Sequence, residues 1–191
     1  MVRELRATCV IFLMLTVLTG IVYPLLVTGV AKLFFLYQAE GSVVEVDGRA
    51  VGSALLGQPF TSDRYFHGRP SATAAVAYNG LGGAGSNLAP TNPALAEAVA
   101  KRVAELRKET DDSSLSPPVD LVTTSASGLD PHVSPAAALL QVPRVAAARS
   151  LPEAEVRGLV QRHVEPQTLG ILGSPRVNVL RLNLALDALP R

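Results

Sequence analysis

At 191 residues, with 17 basic and 16 acidic side chains and a net charge of +1, the chain lacks the electrostatic footprint that nucleic-acid binding requires. From Lys32 onward the two signs balance at 15 each, so bulk charge also offers no polybasic arm for anionic lipid. The only cysteine, Cys9, lies in an N-terminal apolar run, which excludes disulfides and a Cys/His zinc site from the remainder while permitting an oxidising compartment.

Residues 7–31 contain no Asp, Glu, Lys, Arg or His. About 20 helical residues, rising roughly 1.5 Å each, cross bilayer hydrocarbon, so this run spans with tilt to spare. A signal-peptide apolar region is roughly 7–15 residues long and ends at a small-x-small site. This run is longer, and Tyr37 stands where a small residue is wanted. The run therefore reads as a retained anchor. Arg3 and Arg6 precede it and Lys32 follows it, which orients the N-terminus toward the cytoplasm. The expected organisation is a short cytoplasmic N-terminus over 1–6, a transmembrane helix over 7–37 and an extracytoplasmic domain over 38–191. That makes a single-pass protein of the cell (inner) membrane.

An inert anchor needs only Leu, Ile and Val, but this one carries Thr16, Thr19, Gly20, Tyr23, Pro24, Thr28 and Gly29. Thr16 and Gly20 are four apart and share a helix face, with Tyr23 nearby. Small residues so spaced let another helix approach closely. Pro24 cannot donate to the Gly20 carbonyl, which bends the helix and leaves that carbonyl for a neighbour. Thr16, Gly20, Tyr23 and Pro24 are thus the expected subunit-packing residues. The plainer reading is that Gly and Pro are simply common in membrane helices.

Beyond the span, Val43, Val44 and Val46 lead into Asp47-Gly48 and then Ala50 and Val51, which predicts a hairpin within 41–56. Residues 57–93 are rich in Gly, Pro, Ser, Asn and Thr without periodicity, and loops of that length usually bind something. Asn92 as N-cap before Pro93 predicts a helix over 94–108, with Leu95, Ala98, Val99, Val103 and Leu106 on one face. Residues 109–118 read as an acidic loop and 119–122 as a short buried strand. Ser134-Pro135 opens a helix through about 148, and Ser150, with Pro152, Glu153 and Glu155, caps a third reaching about 164. Leu180, Leu182 and Leu184 alternate with other residues, which predicts a strand over 177–186. The fold class is a single N-terminal transmembrane helix followed by one mixed α/β (α+β) extramembrane domain.

Two strings invite chemistry. Gly80-Leu81-Gly82-Gly83-Ala84-Gly85 fits G-x-G-x-x-G, but a dinucleotide site needs those glycines between a strand and a helix N-terminus. Ser86-Asn87-Leu88-Ala89-Pro90 follows instead and cannot continue as helix, so a tight loop is the reading. Asp130-Pro131-His132-x-Ser134 gathers a carboxylate, an imidazole and a hydroxyl. A serine hydrolase also needs a nucleophile on a strained turn and an oxyanion hole. Ser134 reads as a helix cap, and Asp130 and His132 as turn-stabilising groups. His67 and His163 have no metal-ligand spacing. The loops are dense in Ser, Thr and Asn, which satisfy irregular backbone or present a polar surface to a partner.

Taken in order, several segments carry a family resemblance. They are Thr19-Gly20-x-x-Tyr23-Pro24, Gly52-Ser53-x-Leu55-x-Gly57-Gln58-x-Phe60 and Tyr65-Phe66-x-x-Arg69-Pro70-Ser71-Ala72. Next come Ser86-Asn87-Leu88-x-Pro90-Thr91-Asn92-Pro93, Asp120-Leu121-Val122-Thr123 and Ser127-Gly128-Leu129-Asp130-Pro131-His132-x-Ser134-Pro135. Gln141-x-x-Arg144-Val145-Ala146-x-Ala148-Arg149 and Arg176-Val177-Asn178-Val179-Leu180 complete the set. The chain resembles the C subunit of the bacterial high-affinity potassium-transporting P-type ATPase, the Kdp complex.

The resemblance implies a non-catalytic accessory subunit needed for assembly and activity. Its implied partners are a channel-like A subunit that selects potassium and a P-type B subunit that hydrolyses ATP, with lipid around the span. Family accounts also describe a catalytic chaperone that raises the ATP affinity of the B subunit through a Ser-Gly-Gly-Ser-Asn stretch. The corresponding residues here are Gly83, Gly85, Ser86 and Asn87, with Ala84 in place of a glycine. An external domain and direct contact with cytoplasmic ATP exclude one another, so no cofactor is expected to bind directly and any ATP effect is indirect. Arg69, Asn87, Thr91, Asn92, Asp130 and His132 are the expected partner-facing loop residues. The alternative is a membrane-anchored extracytoplasmic binding module or hydrolase unrelated to transport.

Overall fold

The structure is a computed structural model that describes residues 1–189. It divides into two compact units, residues 1–44 and the residues from Glu45 onward. The first is built on one 33-residue helical stretch, Val2–Phe34, long and apolar enough to cross a membrane. It comprises α1 (Val2–Val17), a π-helical turn (Leu18–Val22) and α2 (Tyr23–Phe34). The wide turn sits immediately before Pro24, whose ring would otherwise press on the Gly20 carbonyl. Tyr23 N accordingly bonds five residues back, to Leu18 O. Thr8, Thr16 and Thr19 return their hydroxyls to the carbonyls of Glu4, Phe12 and Leu15, which satisfies those three groups within the helix. Phe35 breaks the helix, and α3 (Leu36–Ala39) follows.

The second unit is α+β. A hairpin of β1 (Val43–Val46), which begins in the last two residues of the first unit, and β2 (Arg49–Ser53) turns at Asp47 and Gly48, both at positive φ. No helix or strand is formed between Ser53 and Pro93. Then α4 (Pro93–Thr110) opens on Asn92, whose Oδ1 accepts from Ala94 N at 3.0 Å. Its apolar face, Leu95, Ala98, Val99, Val103 and Leu106, is half-buried as expected. A three-stranded antiparallel sheet has β5 (Arg176–Asn178) between β3 (His132–Val133) and β4 (Val164–Glu165). Val177 pairs with both Val133 and Val164. On this small sheet lie α6 (Pro135–Leu140), α7 (Val142–Arg149), α8 (Glu153–Arg162) and α9 (Val179–Asp187). Val142, Val145, Val156, Val160, Val177 and Leu182 are completely buried among them. Phe66, from the long loop, seals the same core at 0% exposure, a burial worth about 2–3 kcal/mol.

Four local expectations are corrected. Residues 119–122 form a helical turn, α5 (Val119–Val122), not a strand. A four-residue apolar run has no period of its own, and Pro118 and Asp120 set it as a turn. The expected strand over 177–186 stops at Asn178, whose Oδ1 caps α9 by accepting from Arg181 N at 3.1 Å. Val179, Leu180, Leu182, Asn183 and Leu186 are buried, and the spacing of Val179, Leu182, Asn183 and Leu186 is a helical period hidden under alternating leucines. The helix from Ser134 breaks at Gln141, because Pro143 cannot donate to the Leu139 carbonyl. Ser150 does not cap α8; it closes α7 in the left-handed conformation, φ +58°, and Pro152 occupies the cap position.

Candidate functional site

An ionic chain runs across one edge of the sheet. Loop residue Arg69 donates from Nη1 to Asp130 Oδ2 at 3.1 Å and from Nη2 to Thr124 O at 3.3 Å. Asp130 Oδ1 accepts from His132 N at 3.0 Å, and His132 Nδ1 lies 3.3 Å from the same oxygen. On its other side His132 Nε2 is 3.5 Å from Asn178 Nδ2 and 4.0 Å from Glu165 Oε2. Glu165 in turn holds Arg176 at 3.0 Å and Arg181 at 3.7 Å. Strand pairing dictates this assembly, since β3, β5 and β4 set His132 opposite Asn178 and Glu165 opposite Arg176.

Electrostatics tighten the loop end of this chain. Burial alone would raise the Asp130 pKa, but hydrogen bonds from His132 and Arg69 outweigh it and hold the carboxyl below its ordinary 3.8. Tyr78 donates its hydroxyl to Arg69 O, and burial, aided by the Asp130 charge, pushes its pKa up to about 12. Arg69 and Asp130 line an open cleft of about 580 Å³ together with Leu55, Leu56, Ser127 and Pro131. Arg69 Nε is buried there without a hydrogen bond among the described residues.

The sequence-singled residues distribute unequally over this site. Arg69, Asp130 and His132 come together in it. Asn92 is committed as the α4 cap. Asn87, at φ +50°, and Thr91 are exposed. Gly83 and Gly85 lie against the 126–129 loop rather than around an open cradle. A Cβ on Gly85 would stand 2.7 Å from Ala126 O, and one on Gly83 3.1 Å from Leu129 Cδ1. Close backbone approach therefore accounts for these glycines. Ser86 is exposed beside them. Thr16, Gly20, Tyr23 and Pro24 are all exposed on the apolar helix. Ser134 caps α6 by accepting from Ala137 N, while its hydroxyl donates to Asp120 Oδ1, so it forms no relay with His132.

Two amides that sequence reasoning missed fasten the long loop. Asn183 accepts from Phe66 N at 2.9 Å and donates to Phe66 O at 3.0 Å, imitating a strand partner from within a helix. Gln141 does the same for His67, accepting from its N at 2.7 Å and donating to its O at 3.1 Å. Arg144 binds the carbonyls of Asp63 and Tyr65, and Arg149 that of Arg64. Asn183, the one side-chain amide among the leucines of 180–186, was the available signal.

Residues 5–188 match the protein family described as KdpC: K+-transporting ATPase, c chain. A relative in Sorangium cellulosum (strain So ce56) is 61% identical over 187 residues, covering 98% of each chain. One in Rhodopseudomonas palustris (strain BisB18) is 54% identical, covering 98% of this chain and 99% of its own. Another in Photorhabdus laumondii is 53% identical over 97% of this chain and 96% of its own. Each is named Potassium-transporting ATPase KdpC subunit.

Proposed function

We propose a role that proceeds from one fact: the chain belongs to the KdpC family, the c chain of the K+-transporting ATPase. It is a subunit of a potassium-transporting ATPase complex, and its N-terminal span-length helix fits a membrane protein. A free-standing binding module or hydrolase finds no support in this membership.

The finer role is that of a non-catalytic clamp. The apolar helix packs into the complex through Thr16, Gly20, Tyr23 and Pro24. The domain over 38–191 stands outside the cytoplasm and lays Arg69, Asn87, Thr91, Asn92, Asp130 and His132 toward the channel-like potassium-translocating subunit. The P-type subunit hydrolyses ATP on the other side of the membrane. The chain itself binds no nucleotide, and its influence on ATP affinity passes through conformations the complex shares. The observation that carries the clamp reading is the near-complete match to a family named as a subunit. Support for the helix face comes from its spacing of small residues and from the threonine hydroxyls turned back into their own helix.

Gly20 provides the test. A Cβ built there meets nothing within 4 Å in this chain, so a larger side chain leaves the helix itself unstrained. Gly20→Leu is expected to lower co-purification of the two larger subunits by about tenfold, the loss of one close helix contact of about 1.4 kcal/mol. Unchanged co-purification would sink the helix-packing reading.

A further inference from the structure

Residues 166–175 link β4 to β5 and end in a closed tip. Thr168 and Leu172 exchange backbone hydrogen bonds, each 2.9 Å, and Gln167 Nε2 donates to Gly173 O at 2.7 Å. The turn residues Leu169 and Gly170 have φ of +55° and +74°. Such a turn favours Asn-Gly, because left-handed backbone crowds a leucine Cβ. Leucine stands there although it contributes nothing to the core: Leu169 is 84% exposed, Ile171 78% and Leu172 56%. Three large apolar side chains thus crown a hydrogen-bonded tip.

Cations gather at its root. Arg162, Arg176 and Arg181 stand there against one carboxylate, Glu165, while Arg157 on α8 is paired with Glu153. Glu165 is shared between Arg176 and Arg181. Arg162, exposed in the last turn of α8, forms no ion pair with a described carboxylate. The bulk charge balance hides this local surplus. Four residue steps lead from Glu165 to Leu169, so the tip begins at most about 13 Å from the carboxylate that Arg176 and Arg181 share. An apolar tip ahead of a cationic collar fits a bilayer interface, where apolar groups enter roughly 5–10 Å and guanidiniums meet phosphates. Bilayer is also within reach. The span-length helix ends at Phe34 and the second unit begins at Glu45. Residues 35–44 therefore tether the domain within about 36 Å of the helix end.

We propose that the tip Leu169, Ile171 and Leu172 enters the interface of an anionic bilayer while Arg162, Arg176 and Arg181 hold its phosphates. The proposal does not depend on which side of the membrane the domain lies.

The test uses the full chain with Cys9→Ser and Ile171→Cys, carrying an environment-sensitive nitrobenzoxadiazole label. The chain is reconstituted in phosphatidylcholine vesicles with or without phosphatidylglycerol. With phosphatidylglycerol, the label is expected to shift its emission to the blue and to be quenched by lipids bearing shallow acyl-chain spin labels. A label at Ser113→Cys, on an exposed loop, stays aqueous. Arg162→Gln lowers the bound fraction ratio by about fivefold, the effect of one arginine near an anionic surface. An aqueous label at 171 in phosphatidylglycerol vesicles overturns the proposal. So does a label shielded only in the assembled complex and untouched by lipid quenchers, which would make the tip a protein contact.

Discussion

Asp130 carries most of the electrostatic sense of the site. Its carboxylate accepts from Arg69 and from the His132 backbone, and these bonds hold its folded pKa below 3.8 despite burial. A depressed carboxyl pKa adds stability that is complete above the unfolded value and vanishes as pH falls through the folded one. Asp130→Asn should therefore destabilise the chain at neutral pH by about 1 kcal/mol, a figure reduced for its partial exposure. The difference from the parent should close as pH falls below 3.8, read by denaturant melts at each pH. A gap independent of pH would mean that shape, rather than charge, is what the position needs. Asn183 works by another principle: both of its amide groups are spent on one residue, Phe66, 117 positions away. A buried amide so paired is satisfied, and its replacement by an apolar group would orphan two backbone groups.

Among the elements, the loop between Ser53 and Pro93 is the least regular and the most constrained. Without a ladder of its own, it borrows partners: Asn183 and Gln141 for Phe66 and His67, Arg144 and Arg149 for its carbonyls, and the Gly128 carbonyl for the Ser71 hydroxyl. Its glycine string meets the 126–129 loop backbone to backbone. Gly85→Val should thus cost about 1–3 kcal/mol through forced separation of these segments, lowering Tm by several degrees in a thermal melt. An unchanged Tm would show that the segment moves freely away from Ala126. The G-x-G-x-x-G string was readable, and so was the lack of a helix directly after it. That its glycines serve close packing was not readable, since Ala126 lies some forty positions away.

At the scale of the whole molecule, the charge flanking the span sets an expected sidedness. Two arginines before the apolar run and one lysine after it favour an outside domain. A chain with Cys9→Ser and Ser113→Cys should react with a membrane-impermeant maleimide in intact cells. Ser113 lies exposed beyond the α4 C-terminus. Reaction only after lysis would reverse the orientation and bring direct contact with cytoplasmic ATP back into consideration.

Local physics was enough for several features of this protein. The length of the uncharged run dictated a span-capable helix, Asp47-Gly48 a hairpin, and Asn92-Pro93 and Ser134-Pro135 two helix starts. Each depends on neighbours a few residues apart. Short apolar segments were beyond local reading: residues 119–122 and 179–186 became helix because Asp120 was engaged by Ser134 and Asn178 turned into a cap. Only the folded chain decided that His132 lies between Asp130 and Glu165, and that Asn183 completes Phe66. Strand register and helix packing bring these groups together, and both are set by the burial of a core shared among distant segments, which no local window contains.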